Sequence, residues 1–390
     1  MTFLTGVFYG LLSPLNPEFR SFFLFKYGSL ILISYIIVVF YLPFMLKKTN
    51  DLNKKVIIIV LFISIGITIP TVVFYLLNDK YDIGQFIRVI LYIPIFVFVV
   101  WRKYDLSIYL IKFSFLFNFV GVYQYIMLGD SGRVESLFSH PNFYSIYLIV
   151  IIIFILEKLN FDKEYKRHKN FYYLYIFFMM AMILLGTGAR TSFITLLIIL
   201  VFNYFLRSRD KIRTVLRISI ISFLLLIVFK VSESLLMTTR IFNMSYGNQY
   251  TDQINSFEWR ILRWYDGLAA FNDFPGIYKI FGHGWQSSRI FSERFVGFSM
   301  HNEYIRMLVD FGVIGFIVYV SLIIFLVYIS FKNFRIEGYY SLFLISVVVM
   351  IAGLTENIFV SSESFSILIL SIANSLAILN IKKSKLLDTA

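Results

Sequence analysis

Long runs of apolar residues alternate with short polar loops along nearly the whole chain. A helix needs about 20 apolar residues to cross the hydrocarbon core of a bilayer, and most of these runs approach or exceed that length. The pattern therefore predicts 11 transmembrane helices, with a shorter run at residues 2–12 as a candidate for a twelfth. The predicted spans lie at residues 27–46, 55–76, 84–101, 106–128, 143–158, 171–187, 190–207, 215–233, 303–331, 338–356 and 362–381.

Composition agrees with this pattern. Hydrophobic residues make up 59% of the 390 residues, charged residues make up 15%, and the mean hydropathy is +0.77. A soluble domain of this size cannot bury so much apolar surface. We therefore expect an all-α polytopic membrane protein in which residues 1–390 form a single integral membrane domain.

Charge assigns the loops to two sides of the membrane. The net charge is +13, which in a soluble protein would suggest a nucleic-acid partner. Here more than half of the 36 basic residues lie in loops on one side of the predicted spans. By the positive-inside rule those loops and the C-terminus are cytoplasmic, so no nucleic-acid partner is expected. The long loop at residues 234–302 then faces outward, as do the loops at 129–142 and 188–190.

Three outward loops carry an arginine in a distinctive setting. These are Arg133 in GDSGRVESLFSHPN, Arg190 in LLGTGARTSF and Arg260 in the long loop. An arginine on this side is often only a headgroup contact or a snorkelling side chain. However, the guanidinium is a permanently charged fork suited to a diphosphate, which lipid-linked sugars present at this interface. Three such arginines on one face therefore favour a diphosphate-binding role.

The long loop predicts a helix of its own, which begins after Asn255 and ends at residues 274–276. On helical phasing, Arg260 borders the buried face of this helix, whereas Arg263 points toward solvent. The predicted apolar stripe consists of Phe257, Ile261, Trp264, Leu268 and Phe271. Three of the chain's four tryptophans also lie in this loop, as an interfacial aromatic belt or as platforms for sugar stacking.

The remaining polar residues narrow the chemistry. The sequence has no Walker motif, no D-x-D, no H-E-x-x-H and no cysteine, and its four histidines are too scattered to indicate a metal site. His140 suits a loop or helix cap, and His283 suits either a tight turn or a substrate contact. His301 begins the polar edge of a span and can accept a proton at neutral pH. Arg306 and Asp310 are one helical turn apart, which predicts a mutually neutralising pair.

Five short motifs carry a resemblance to a known family. In chain order they are GRVESLFSHPN, GTGARTSF, RILRW, FGHGW and HN-x9-G-x2-G, the last of which begins at His301. Their order and their position on outward loops resemble the O-antigen ligase and polymerase superfamily of bacterial envelope glycosyltransferases. The resemblance covers roughly residues 129–316.

The resemblance implies a GT-C-like helical fold and a metal-independent glycosyltransferase without a cofactor. It implies that Arg133, Arg190 and Arg260 bind the diphosphate of the donor, with His301 and Arg260 at the reacting centre. The candidate glycan contacts are His283, Trp285, Arg289 and Asn302. The implied substrate is an undecaprenyl-diphosphate-linked oligosaccharide at the periplasmic face of the inner membrane, and the implied partners are membrane lipids with a chain-length regulator and a flippase of the same pathway.

Within this superfamily the sequence favours a Wzy-type polymerase, although the motif at His301 resembles that of the ligases. The spacing between Arg260 and Gly276 resembles an outer-loop motif of polymerases, and the aromatic and glycine-rich run at residues 276–298 suits two glycan substrates. A ligase must accept the phosphorylated core of lipid A, which would favour a denser cationic rim. Two functions of other classes stay open: a lipid-linked oligosaccharide flippase and a scaffold without chemistry.

Overall fold

The computed structural model describes most of the chain from residue 92 onward. The described ranges are 92–102, 104–128, 133–208, 247–248, 251–289, 299–337, 339–359 and 361–388, with isolated positions at 54–55, 57–58, 210, 212–213 and 291. The predicted spans at residues 27–46 and 215–233, nearly all of 55–76 and the short run at 2–12 lie outside the described residues.

The described elements are almost all helical. In chain order they are α1 (Tyr92–Arg102), α2 (Ser107–Leu128), α3 (Pro141–Phe161), α4 (Lys163–Arg167), α5 (Lys169–Ala181) with a π-helical turn (Met182–Thr187), α6 (Arg190–Arg207), β1 (Gly247–Asn248), β2 (Thr251–Asn255), α7 (Ser256–Asp273), α8 (Gly276–Phe281), a 3₁₀ turn (Ser287–Arg289), α9 (Glu303–Glu337), α10 (Ser341–Ala352) and α11 (Ser362–Asp388). The two short strands pair antiparallel in a small hairpin before α7, which the sequence pattern did not predict.

Five of these helices are long and apolar enough to cross a membrane. They are Ser107–Leu128, Pro141–Phe161, Lys169–Thr187, Arg190–Arg207 and Glu303–Lys332. Shorter apolar helices occupy the other predicted spans of the described part, at Tyr92–Arg102, Ser341–Ala352 and Glu363–Leu379. The prediction of an all-α polytopic membrane protein is therefore confirmed.

The central helix of the described bundle is α3. It is apolar on every side, and nearly all of its residues are buried. A helix with this composition is stable only when neighbours surround it, and here α2, α5, α6, α10 and α11 all pack against it. Because α3 runs from one end of the bundle to the other, it connects the two sets of loops.

Ion pairs lie at both ends of this bundle. At one end, Lys158 of α3 forms an ion pair with Asp105 at 2.6 Å, and Glu157 accepts hydrogen bonds from the backbone of Tyr340 and Ser341. The loops that meet there are among those predicted to be cytoplasmic. At the other end, the loops predicted to face outward meet around the start of α3 and the loop after α10. The loops that charge assigns to one side of the membrane thus lie at the same end of the bundle. Which end faces the cytoplasm stays a prediction.

Helix α9 bends sharply at Gly312, so the predicted span at 303–331 is not one straight helix. Gly312 has φ 65° and ψ −168°. The rings of Tyr304 and Tyr319 are 5.3 Å apart, although fifteen residues of straight helix rise about 22 Å. Residues 303–311 therefore fold back beside the start of residues 313–337. The segment after the bend is still long enough to cross a bilayer by itself.

The prediction for the buried face of α7 was wrong for Arg263, Ile261 and Leu268, whereas Arg260, at 21% exposed, borders the buried face as predicted. Arg263 is 0% exposed, whereas Ile261 and Leu268 of the predicted stripe are 45% and 40% exposed. The buried side carries Trp259, whose ring lies against that of His301, and Arg263, whose Nη2 donates to the carbonyl of Ser288 at 3.1 Å. A hydrogen-bonding partner from another segment thus determines which side of α7 is buried. The hydrophobic pattern of the helix alone predicted a different side.

Candidate functional site

Glu356 is the point where the elements of the outward end meet. It lies in the loop after α10 and is 5% exposed. Its Oε1 accepts hydrogen bonds from Asn142 Nδ2 at 2.6 Å and from Arg260 Nη2 at 3.1 Å, and its Oε2 lies 3.5 Å from Nδ1 of His301. One buried carboxylate therefore connects the start of α3, the helix α7 and the turn before α9.

Arg133 joins this cluster through Asn142. Its Nη2 donates to Asn142 Oδ1 at 2.7 Å, and its Nε donates to the carbonyl of Thr187 at 2.7 Å. Thr187 ends the π-helical turn of α5, and Gly188 then turns the chain with a φ of 57°. The GTG segment of the sequence thus presents a backbone carbonyl that helps to fix the position of the Arg133 guanidinium. Single π-helical turns are frequent at functional sites.

Arg190 adjoins this group without a described bond to Glu356. It is the first residue of α6 and follows the Thr187–Gly188 turn by only a few positions. Its side chain is half-buried. The described contacts therefore bring Arg133, Arg260 and His301 together at Glu356, and they place the start of Arg190's helix beside the turn that holds Arg133.

His301 sits in a constrained turn immediately before α9. Its φ is 50°, a region that residues with a side chain seldom adopt, and its ring meets the Trp259 ring edge-on with centroids 5.3 Å apart. The next residue, Asn302, is buried, and its Oδ1 accepts hydrogen bonds from two backbone N–H groups in the first turn of α9. Asn302 thus caps this helix and holds His301 in place through the chain.

The charges around Glu356 favour its ionised form. Burial alone would raise the pKa of Glu356, but the His301 side chain and the charge of Arg260 lower it to about 2. Burial lowers the pKa of His140 to about 4, so this imidazole is neutral at pH 7. Its Nδ1 accepts a hydrogen bond from the backbone N–H of Asn142 and caps α3, as the sequence predicted. The site therefore holds one ionised carboxylate that is bonded to Arg260 and connected to Arg133 through Asn142.

A second buried network lies beside the site. Arg306 donates to Glu303 and, at 2.8 Å, to Asp310, which confirms the predicted pair and adds a second acid to it. Asp310 also accepts hydrogen bonds from the backbone N–H groups of Gln286 at 2.9 Å and Ser288 at 2.8 Å. These bonds tie the loop after α8 to the first segment of α9, which begins next to His301.

Trp285 belongs to this buried network. It is 3% exposed, and the guanidinium of Arg306 lies 4.8 Å from the centre of its ring. A ring enclosed in this way offers little face to a sugar, so the structure gives Trp285 a packing role in the described conformation. Arg289, another candidate glycan contact, donates from Nη1 to Gln286 Oε1 at 3.0 Å and is half-buried.

His283 lies within an aromatic cluster at the end of α8. Its ring stacks on Tyr278 with centroids 4.0 Å apart, and it contacts the rings of Phe274 and Phe291 at 4.5 Å and 4.4 Å. Burial lowers the pKa of His283 to about 4, so the ring is neutral at pH 7. These contacts describe a neutral packed ring and do not connect His283 to Glu356.

Sequence reasoning missed Glu356 and the role of Asn142 as its partner. Glu356 was assigned to the end of the predicted span at 338–356. An acid inside an apolar span is a signal of function, and this signal was available in the sequence. Nothing in the sequence, however, identifies the partners of Glu356, because Asn142 lies 214 residues away along the chain. Within the described part of the chain there is no group of three or more His, Cys, Asp or Glu residues suited to a metal ion.

Fold and site together define a class: a polytopic helical membrane protein with a partly buried cluster of arginine, histidine and glutamate at one end of its bundle. Residues 175–320 match the family model described as O-antigen ligase. This match confirms the resemblance to the O-antigen ligase and polymerase superfamily, and it indicates a glycosyltransferase of that type that acts on lipid-linked oligosaccharides. A comparison with curated proteins gives no match. The matched segment contains Arg190, Arg260 and His301, whereas Arg133, Asn142 and Glu356 lie outside it.

Proposed function

We propose that this protein is a surface-polysaccharide polymerase of the O-antigen type. It transfers a glycan from undecaprenyl diphosphate to a lipid-linked repeat unit at the periplasmic face of the inner membrane, without a metal ion. The observation that carries the proposal is the Glu356 cluster, which holds two guanidinium groups and one imidazole within one partly buried site.

The arginines suit the departure of a diphosphate. Negative charge develops on the leaving diphosphate as the bond to the anomeric carbon breaks, and prepositioned guanidinium groups stabilise that charge without reorganising. Arg260 is 21% exposed at its side chain and donates to Glu356 through Nη2, and a guanidinium has five N–H donors in all. Arg133 is held from two directions, by a carbonyl and by an amide, so its fork is fixed before the substrate arrives.

His301 suits the role of general base. With Nδ1 beside the Glu356 carboxylate, the neutral imidazole carries its hydrogen on Nδ1 and has Nε2 as its acceptor. The acceptor hydroxyl gives its proton to Nε2, its oxygen forms a bond to the anomeric carbon of the donor, and the bond from that carbon to the diphosphate breaks. The carboxylate then stabilises the imidazolium that forms.

A ligase is the second candidate, because the matching family model is described as O-antigen ligase. The two candidates share the donor and the leaving group and differ only in the acceptor. The support for a polymerase lies in the exposed aromatic residues of the outer loop, including Tyr265 at 70% and Phe281 at 51% exposed. These residues suit uncharged glycans better than the phosphorylated core of lipid A.

Deletion of the gene distinguishes the candidates. Loss of a polymerase leaves surface glycan with at most one repeat unit, whereas loss of a ligase leaves an unmodified core and long polymer on undecaprenyl diphosphate. We expect the first outcome, measured by electrophoresis of lipopolysaccharide and by mass spectrometry of the lipid-linked pool. The second outcome would replace the polymerase proposal with the ligase, and unchanged glycan in both measurements would reject both.

Complementation of the deletion strain tests the residues. His301→Ala and Arg260→Lys should fail to restore chain lengthening, since an ammonium group cannot reproduce the planar fork of a guanidinium. Arg167→Lys is the matched control, because Arg167 is an exposed arginine at the opposite end of the bundle. If Arg260→Lys restored chain lengthening as fully as Arg167→Lys, Arg260 would not belong to the site.

A further inference from the structure

Asn142 makes two hydrogen bonds of opposite kind inside the site. It lies in the first turn of α3 and is buried, with 8% of its surface exposed. Its Oδ1 accepts from Arg133 Nη2 at 2.7 Å, and its Nδ2 donates to Glu356 Oε1 at 2.6 Å. A carboxylate could replace only the first of these bonds and an ammonium only the second. A neutral amide provides both from one end of one short side chain.

We propose that Asn142 is a positioning residue that sets the spacing between the two arginines of the transferase and holds Glu356 in contact with Arg260 and His301. The inference rests on the proposed function. The same carboxylate oxygen, Oε1, accepts from Asn142 and from Arg260, so Arg133 and Arg260 are connected through only two side chains.

This connection matters because a diphosphate has a fixed size. Two guanidinium groups hold its oxygens in a productive geometry only when their separation is fixed, and an error of about 1 Å can cost about a hundredfold in rate. Each arginine alone has a long, flexible side chain. The short Asn142–Glu356 connection removes that freedom, since both of its members are buried. Asn142 lies in the first turn of α3, and the backbone N–H of Glu356 donates to the carbonyl of Ala352 at 2.9 Å.

Asn142→Asp is the nearly isosteric test. It keeps the acceptor for Arg133 and replaces the N–H donor by an oxygen 2.6 Å from Glu356 Oε1. Two carboxylates at this distance repel each other strongly, so the pair keeps one shared proton to a higher pH and its upper apparent pKa rises. The charged groups facing this pair are Arg133 from the segment before α3, Arg260 from α7, and the imidazoles of His301 and His140.

The sign of the effect follows from the shared proton. At low pH the pair holds the proton, the bond between the two carboxyl groups persists, and the spacing is kept. As the pH rises the proton leaves, the two carboxylates repel, and Glu356 moves away from Arg260 and His301. The rate of Asn142→Asp relative to wild type should therefore fall as the pH rises.

The measurement uses the purified full chain in detergent and undecaprenyl-diphosphate-linked repeat units extracted from the deletion strain. We expect the ratio of initial rates, variant to wild type, to decrease at least about tenfold between pH 5.5 and pH 8. A ratio that stays constant with pH would show that Asn142 is only a structural residue. If the wild type transfers no glycan, the proposed function fails; if the wild type is active and the ratio is constant, only this inference fails.

A double variant keeps the test decisive if Asn142→Asp accumulates poorly at neutral pH. Asn142→Asp with Glu356→Gln exchanges the carboxylate and the amide, so the two side chains can again form one hydrogen bond without like charges. We expect it to restore abundance and thermal stability but not the rate, because Arg260 and His301 have lost their carboxylate. Failure of the exchange to restore stability would overturn the inference.

Discussion

Glu356 shows how one residue can be unfavourable in isolation and favourable in its cluster. A buried carboxylate loses its hydration, which raises its pKa and would leave it neutral in an apolar span. Here the surroundings supply an amide donor, a guanidinium and an imidazole, and the net effect is a pKa of about 2. The same charges that suit the proposed chemistry therefore also hold the loop after α10 against α3 and α7.

Replacement of Glu356 should change how stability depends on pH. The pKa of Glu356 is lowered from 4.5 to about 2 in the folded protein, so its contribution to stability is present above pH 4.5 and is lost as the pH falls toward 2. That contribution is about 3 kcal/mol. Glu356→Gln should lower the melting temperature at pH 6 and flatten its decline between pH 4.5 and pH 2, as measured by thermal unfolding in detergent.

The control for this prediction is Glu164→Gln, at an exposed position in α4 at the opposite end. It should leave the melting temperature and its pH dependence close to those of the wild type. If Glu356→Gln kept the wild-type decline at acidic pH, the charge of Glu356 would not contribute to stability in the way described here.

Among the elements, the bend in α9 packs the segment that follows His301 against α8 and the loop after it. Gly312 at the bend lies directly against the end of α8, where Gly282 also has a positive φ of 71°. A Cβ on either glycine would clash with the backbone of the opposite segment. This close approach lets the carbonyl of Asp310 accept a hydrogen bond from the N–H of Gly284 at 2.7 Å, and it fixes the loop that covers Arg263.

Alanine substitutions test whether the bend requires a glycine, by comparing Gly312 with a glycine that has free space around it. Gly312→Ala combines an unfavourable φ with a collision against the backbone of Ile280, and it should destabilise the protein by at least about 2 kcal/mol. Gly276→Ala is the matched control, since nothing lies within 4 Å of the added Cβ. Thermal unfolding and membrane abundance measure both, and a Gly312→Ala protein as stable as Gly276→Ala would contradict the described bend.

At the scale of the whole molecule, the two ends of the bundle have different chemistry. One end collects the basic loops and contacts such as Lys158 with Asp105, and the other collects the Glu356 cluster. If the positive-inside rule sets the orientation, the cluster faces the periplasm, where a flipped lipid-linked glycan is available.

Labelling with an impermeant thiol reagent tests this orientation, and the absence of native cysteines removes any background. Asp273→Cys and His168→Cys replace exposed residues at opposite ends of the bundle. In intact spheroplasts we expect labelling of the cysteine at 273 and none at 168 until the membrane is permeabilised. The reverse pattern would place the site in the cytoplasm and reject the periplasmic reaction.

The spans and much of the site could be predicted from the sequence because their signals are local. Hydropathy over about 20 residues identified each described membrane helix, since the hydrocarbon thickness fixes the length of a span. Arg133, Arg260 and His301 stood out because charge is rare in such a chain. The structure brings Arg260 and His301 to the Glu356 carboxylate and connects Arg133 to it through Asn142.

Three features depended on contacts between distant parts of the chain. Glu356 has no recognisable partner in its own neighbourhood, because the groups that keep it ionised come from α3, α7 and the turn before α9. Arg263 is buried because the carbonyl of Ser288 accepts its hydrogen bond. The bend in α9 requires a glycine because the backbone of α8 leaves no room for a side chain at Gly312. Polar and charged side chains such as Glu356 and Arg263 are buried where hydrogen-bonding partners are available to them. Only the folded structure places those partners together, because they come from distant parts of the chain.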